Sequence, residues 1–149
     1  MTKTRGGMAA LVDVNFLVAI MHGRHVHSAA AVRWLAGLDD RGAIAICRVS
    51  QMGVLRILTN PSAMKGEVMS ASEFWVGWDR LVDDERFALV GEPAGLQNAW
   101  RTLTTAVPKG KSAETDCYLA AFAIAGGHGL VSFDKGLRRF PGVELTFPA

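Results

Sequence analysis

Three carboxylates sit where solvation alone does not explain an acidic side chain. Asp13 lies inside Leu11-Val12-Asp13-Val14-Asn15-Phe16-Leu17, Asp116 opens Thr115-Asp116-Cys117-Tyr118-Leu119-Ala120-Ala121, and Asp134 follows Val131-Ser132-Phe133. A carboxylate in so apolar a run as the first is costly unless it is hydrogen-bonded, paired or bound to a cation. Each acid also has a plainer reading: Asp13 as a local cap, Asp116 as a first-turn acid favoured by the helix dipole, Asp134 as a turn residue. Brought together, the three would repel and desolvate one another, and a divalent cation would offset both costs. Mg2+ prefers hard oxygen ligands of this kind, and Mn2+ accepts them. Such an ion activates water and stabilises charge on a reacting phosphoryl group, so phosphodiester hydrolysis needs no general-base histidine. Asn15 and Ser132 are candidate supports; Asn15 shares a face with Asp13 if the strand around Asp13 continues.

The elements that must position these acids follow from hydrophobic patterning. Ala10 to Ala19 reads as a buried strand running into a loop or helix start, apolar on both faces as a central parallel strand is. Ser28 to Leu38 is an amphipathic helix, Asp39 to Gly42 a turn, and Ala43 to Val49 a second strand. Ser50 is placed to cap a helix that Asn60-Pro61 ends. Ser70 or Ser72 starts another helix reaching about Leu81; Phe87 to Val90 is a short strand and Leu96 to Val107 a helix. Ser112 or Thr115 caps a helix that Gly126-Gly127 stops. Gly129 to Phe133 is a strand, Gly136 to Phe140 a short helical turn, and Val143 to Phe147 an edge strand. Strands alternating with helices imply a three-layer α/β/α domain around a mostly parallel sheet. Ligands in such folds bind at the carboxyl ends of the strands, which puts Asp13 and Asp134 in one crevice.

Composition sets the limits. The 149 residues are half hydrophobic and 20% charged, which fits one domain, residues 8–149, and argues against disorder. Residues 1–7 read as a disordered extension, with Met8 an alternative start. The apolar run from Met8 to Met21 is too short to span a membrane, is interrupted by Asp13 and Asn15, and lacks a cleavage motif, so neither a membrane span nor a signal peptide is expected. A net charge of +2 does not by itself imply nucleic-acid binding; it permits an acidic pocket inside a mildly basic rim. Cys47 and Cys117 have no zinc spacing and read as buried filling in a reducing, cytoplasmic compartment.

Basic residues near the acids are candidate phosphate contacts: Lys109, Lys111, Arg138 and Arg139, and also Arg48 and Arg56, which bracket Gln51. A solvated surface explains them equally well. His22, His25 and His27 lack a zinc pattern and read as a loop and helix entry. The four tryptophans, Trp34, Trp75, Trp78 and Trp100, read as core or interface packing rather than base stacking.

Taken together, the opening Leu11 to Asn15, the segment Ser50 to Pro61, Thr115 to Ala121 and Ser132 to Gly136 resemble the PIN domain, in particular the VapC toxins of type II VapBC toxin–antitoxin modules. Members of that family bind Mg2+ or Mn2+ through an acidic quartet and cleave RNA. The resemblance places Asp13 at the first acid, Asp116 at the third and Asp134 at the last. Where the family usually has glutamate, this chain has Gln51, which keeps an oxygen but loses the charge. Glu114 is an alternative fourth donor, although residues two apart on a helix do not face each other. The resemblance further implies an endoribonuclease acting on tRNA or rRNA and inhibiting translation, a VapB-type antitoxin partner and a homodimer. Two other readings stay open: a catalytically weak relative that binds RNA or antitoxin, and another metal-dependent phosphodiesterase or DNA nuclease.

Overall fold

The computed structural model describes residues 8–149, so the expected N-terminal extension falls outside the described residues. Short strands form one parallel sheet: β1 (Ala10–Val12), β2 (Ile44–Ile46), β3 (Phe87–Leu89), β4 (Gly129–Val131) and β5 (Leu145–Thr146). Their spatial order is β3-β2-β1-β4-β5, and every pairing is parallel. The chain builds outward from β1 through β2 to β3, then crosses back to lay β4 and β5 on the other side of β1. The order therefore reverses between β1 and β4, where crossover connections diverge and leave a crevice at the strands' carboxyl ends.

The strands are buried on both faces. Ala10, Val12, Ile44, Ile46 and Val131 face one core, filled from α1 (Val14–Met21), α2 (Ser28–Ala36), α3 (Arg48–Leu58) and α5 (Ala71–Val82). Leu11, Ala45 and Leu130 face the second core, covered by α6 (Leu96–Thr105) and α7 (Glu114–Gly126). This is the expected α/β/α layering, with period-two alternation dividing one strand's residues between two cores. A short α4 (Pro61–Met64) and single 3-10 turns at Lys65–Glu67 and Lys135–Arg139 complete the chain. Among the described residues, no helix is long and apolar enough to cross a membrane.

Three local expectations are corrected. Within the stretch Ala10 to Ala19, read as a strand running into a loop or helix start, the strand ends already at Val12, because the Asp13 carboxylate accepts the Val14 N–H at 2.7 Å and starts α1 there. Phe16, Leu17, Val18 and Ala19 are then buried as helix, and an apolar run of this length does not distinguish the two states. Asn15 thus lies in the first turn of a helix, not on a strand face shared with Asp13. Ser50 does not cap α3, which begins at Arg48 after Cys47; its hydroxyl instead donates to the Val12 carbonyl at 3.0 Å, tying α3 to β1. Neither Ser112 nor Thr115 caps α7, which follows Ala113. By contrast, Ser70 and Glu73 form a reciprocal capping box for α5, and Gly127, at φ 66°, closes α7 in the left-handed conformation. Trp34 and Trp78 are buried, whereas Trp75 and Trp100 are exposed.

The contact between α1 and α3 depends on a missing side chain. A Cβ at Gly53 would lie 2.5 Å from a methyl of Val14, and Val14 is stiff at χ1 in a helix. Gly53→Ala should therefore lose stability despite its better helix propensity. We expect a net loss of about 1 kcal/mol in urea denaturation, since overpacking costs about 1–3 kcal/mol against about 1 kcal/mol of propensity gained. Adding Val14→Ala should recover most of the strain; a Gly53→Ala protein more stable than wild type would refute this packing.

Candidate active site

Asp13 follows β1, and Ser132 and Asp134 follow β4, so the parallel β1–β4 pairing puts all three at one end of the sheet. Asp13 is 8% exposed. Its Oδ1 accepts the Val14 N–H, and its Oδ2 accepts the Ser132 hydroxyl at 2.7 Å. Ser132 Oγ in turn accepts from Asn15 Nδ2 at 3.2 Å and from the Asp134 N–H at 2.9 Å. The Phe133 N–H donates to Asn15 Oδ1 at 3.2 Å, fixing which way the amide points. Asn15 and Ser132 therefore hold the two loops together and aim the Asp13 carboxylate.

Burial raises the Asp13 carboxyl above its ordinary range, and repulsion from Asp116 and Asp134 adds to it. The Ser132 and Val14 hydrogen bonds pull the other way. Asp116 and Asp134 thus act on Asp13 through space. Asp134 is exposed, and its Oδ1 accepts the Gly136 N–H at 2.9 Å. Asp116, in the first turn of α7, is paired with Arg139 at 2.8 Å.

The remaining sequence candidates divide. Gln51 is 5% exposed on α3, and its Oε1 accepts from the Arg48 guanidinium. Glu114 accepts the Ser112 hydroxyl at 2.7 Å, and this bond is the main reason its carboxyl lies below the ordinary range. It is not among the charges that act on Asp13. Lys109 and Lys111 are exposed just ahead of α7. Arg138 lies over the Phe147 ring at 5.0 Å, and Arg139 packs on Phe140 at 4.5 Å besides its ion pair. Arg139 is therefore an acid's partner as much as a candidate phosphate contact, which nothing in local sequence signals, because 23 residues separate the pair. His27 stacks on Phe133 at 4.2 Å, and His22 pairs with Glu67 at 2.7 Å.

Among the described residues, no three His, Cys, Asp or Glu side chains are grouped closely enough to hold a metal ion. The donors nevertheless suit a hard cation in kind. They are carboxylate oxygens, one of them buried and destabilised in its charged form by two like charges, the condition that a bound cation relieves.

The PIN domain family model matches residues 10–143. The chain belongs to the PIN-domain family. Its relatives within that family include VapC proteins. It is 35% identical over 143 residues to Ribonuclease VapC41 of Mycobacterium tuberculosis, covering 93% of this chain and 98% of the relative. It is 32% identical to VapC39 of the same organism, covering 87% and 91%. Among solved structures, M. tuberculosis VapC20, described as a sarcin-ricin loop cleaving toxin, matches with a TM-score of 0.66 at 13% identity, over 91% of this chain and 99% of that one. VapBC2 from Rickettsia felis, solved with a promoter DNA fragment, matches at 0.65 and 17% identity, over 95% and 100%. At such identities these structures support the fold alone. The chain is thus a VapC-type PIN domain.

The raised Asp13 carboxyl has a thermodynamic consequence in this PIN domain. A group that holds its proton more tightly folded than unfolded leaves the unfolded state with fewer protons, so stability falls as pH rises through the folded pKa. Asn caps a helix as well as Asp does. From pH 4 to pH 7 metal-free wild type should therefore lose more melting temperature than Asp13→Asn, whose amide does not titrate. Parallel pH profiles for the two proteins would contradict the raised Asp13 carboxyl.

Proposed function

We propose that the chain is the ribonuclease toxin of a type II toxin–antitoxin module. It cleaves RNA, in tRNA or rRNA, by Mg2+-assisted phosphodiester hydrolysis and thereby inhibits translation. The observation that carries this reading is the buried Asp13 carboxylate at the β1–β4 reversal, under the charges of Asp116 and Asp134. The ribonuclease names of its VapC relatives support it. Asp13, Asp116 and Asp134 would hold Mg2+, with Mn2+ as a substitute. When bound, the ion supplies positive charge to the phosphoryl oxygens and a stronger nucleophile from water.

The chain's own residues divide the remaining work. Ser132 and Asn15 keep the Asp13 carboxylate in one orientation, and Asp134 is tethered to the same hydroxyl through its N–H. Arg139 neutralises Asp116 and would yield that place to the cation. Lys109, Lys111 and Arg138 would grip backbone phosphates, positioning RNA without reading its sequence. A VapB-type antitoxin is the proposed partner, and the active unit is a homodimer; the solved relatives include VapBC complexes.

A second reading has its own support. Gln51 turns its oxygen to Arg48, Asp116 is taken by Arg139, and no metal-holding group is assembled among the described residues. These features fit a catalytically weak relative that retains RNA or antitoxin binding.

Incubating purified protein with total RNA separates the two. With Mg2+ we expect discrete fragments, lost with chelator and reduced roughly 10²–10³-fold in rate by Asp13→Asn, the scale of removing a principal electrostatic contributor. Ser132→Ala should cost roughly 10–100-fold, the range for residues that orient metal ligands. RNA binding without cleavage in Mg2+ or Mn2+ would favour the weak relative. In that case Gln51→Glu should raise Mn2+ affinity, read by isothermal titration.

A further inference from the structure

A cavity opens past the carboxyl ends of β2 and β3, on the α7 side of the sheet. It has a volume of about 550 Å³ and is lined by Arg48, Leu89, Val90, Glu92, Tyr118 and Phe122 among others. That volume lies within the range of small-ligand pockets. Its link to the proposed site is Arg48, which lines the cavity while donating to Gln51.

Its chemistry is specific. Apolar and aromatic side chains line it together with Arg48 and one carboxylate, the exposed Glu92. The Tyr118 hydroxyl donates to Glu92 Oε2 at 2.6 Å, which holds the carboxylate at the cavity wall. Burial and that carboxylate push the Tyr118 phenol upward, so at neutral pH it stays a donor. Glu92 Oε1 accepts no hydrogen bond from any described residue and remains available. A carboxylate is an acceptor only, so a ligand must bring donors. N–H and O–H donors both satisfy it; among the four RNA bases, guanine alone presents two adjacent donors on its Watson–Crick edge, N1–H and the N2 amino group. Proteins reading single-stranded RNA combine aromatic or apolar walls with hydrogen bonds to that edge.

We propose that this cavity is a guanine subsite, in which Glu92, held by Tyr118, accepts from the Watson–Crick edge of a base flanking the scissile phosphate and Arg48 bridges the base to the catalytic residues. The proposal rests on the reading that the chain acts on RNA. It assigns a base preference that neither the acids nor the surface lysines can supply, since phosphate contacts carry no sequence information.

The test uses cleavage-resistant 2′-O-methyl pentanucleotides, four uridines with a central guanosine, inosine or adenosine, bound in chelator and followed by fluorescence anisotropy. Wild type should bind the guanosine oligonucleotide roughly tenfold tighter than the adenosine one, as expected for one bidentate base contact. Inosine, lacking the N2 amino group, should fall between them. Glu92 is exposed, so Glu92→Gln should fold normally; it should lower guanosine affinity to the adenosine level and leave the adenosine oligonucleotide unchanged. Tyr118→Phe should weaken guanosine binding by a smaller factor. Equal affinity for all three oligonucleotides overturns the subsite while leaving the RNA reading intact. Failure to bind any of them overturns both. Base-blind RNA binding together with Glu92-dependent capture of an arginine-bearing peptide would assign the cavity to a protein partner and overturn the proposal. Because the assay contains no metal and no cleavage, guanosine preference without catalysis would support the subsite even if the hydrolytic reading failed.

Discussion

Burying one carboxylate at the seam between β1 and β4 constrains much of the structure around it. Asp13 ends the strand, starts α1 and takes the Ser132 hydroxyl, so its oxygens fix the geometry of two chain segments 119 residues apart. Ser132 in turn gathers the Asp134 N–H and the Asn15 amide. Replacing Ser132 by an apolar residue would remove the Asp13 bond and the anchor for both neighbours. The network is satisfied: among the described residues no buried side-chain nitrogen or oxygen lacks a partner. In a low-dielectric site that satisfaction is what makes a buried charge tolerable.

Of the two charges that repel Asp13, that of Asp116 is paired with Arg139, and Arg48 occupies the oxygen of the neutral Gln51. The glutamine at position 51 fits this arrangement: a glutamate there would add another negative charge to a neighbourhood where Asp13 is already repelled by two. The same Arg48 faces the Glu92–Tyr118 cavity, so one side chain joins the acidic centre to the surface where a base would be read.

The layers were legible because alternation in strands and apolar faces in helices are local patterns with distinct periods. The capping box at Ser70 and the glycine stop at Gly127 also have local causes, and both are found where the residue types indicate. Two expected caps are not formed. Ser50 and Ser112 have the chemistry of caps, but each hydroxyl finds a better partner, Val12 across the sheet or the nearby Glu114. The early end of the first strand, at Val12 within the stretch Ala10 to Ala19, was hidden for a related reason: an apolar run carries no period that separates strand from helix start.

Sequence by itself determined that the chain folds as alternating strands and helices, and which acids stand at strand and helix ends, because those follow from residue type and spacing along one chain. Tertiary structure alone decided which charges meet. The pairing of Arg139 with Asp116, the Tyr118 hydroxyl on Glu92, and the repulsion that adds to burial in raising the Asp13 carboxyl all join residues from different elements. Coulomb energies and hydrogen bonds depend on distances through space, and those distances exist only once β4 has been laid beside β1 and α7 packed across it.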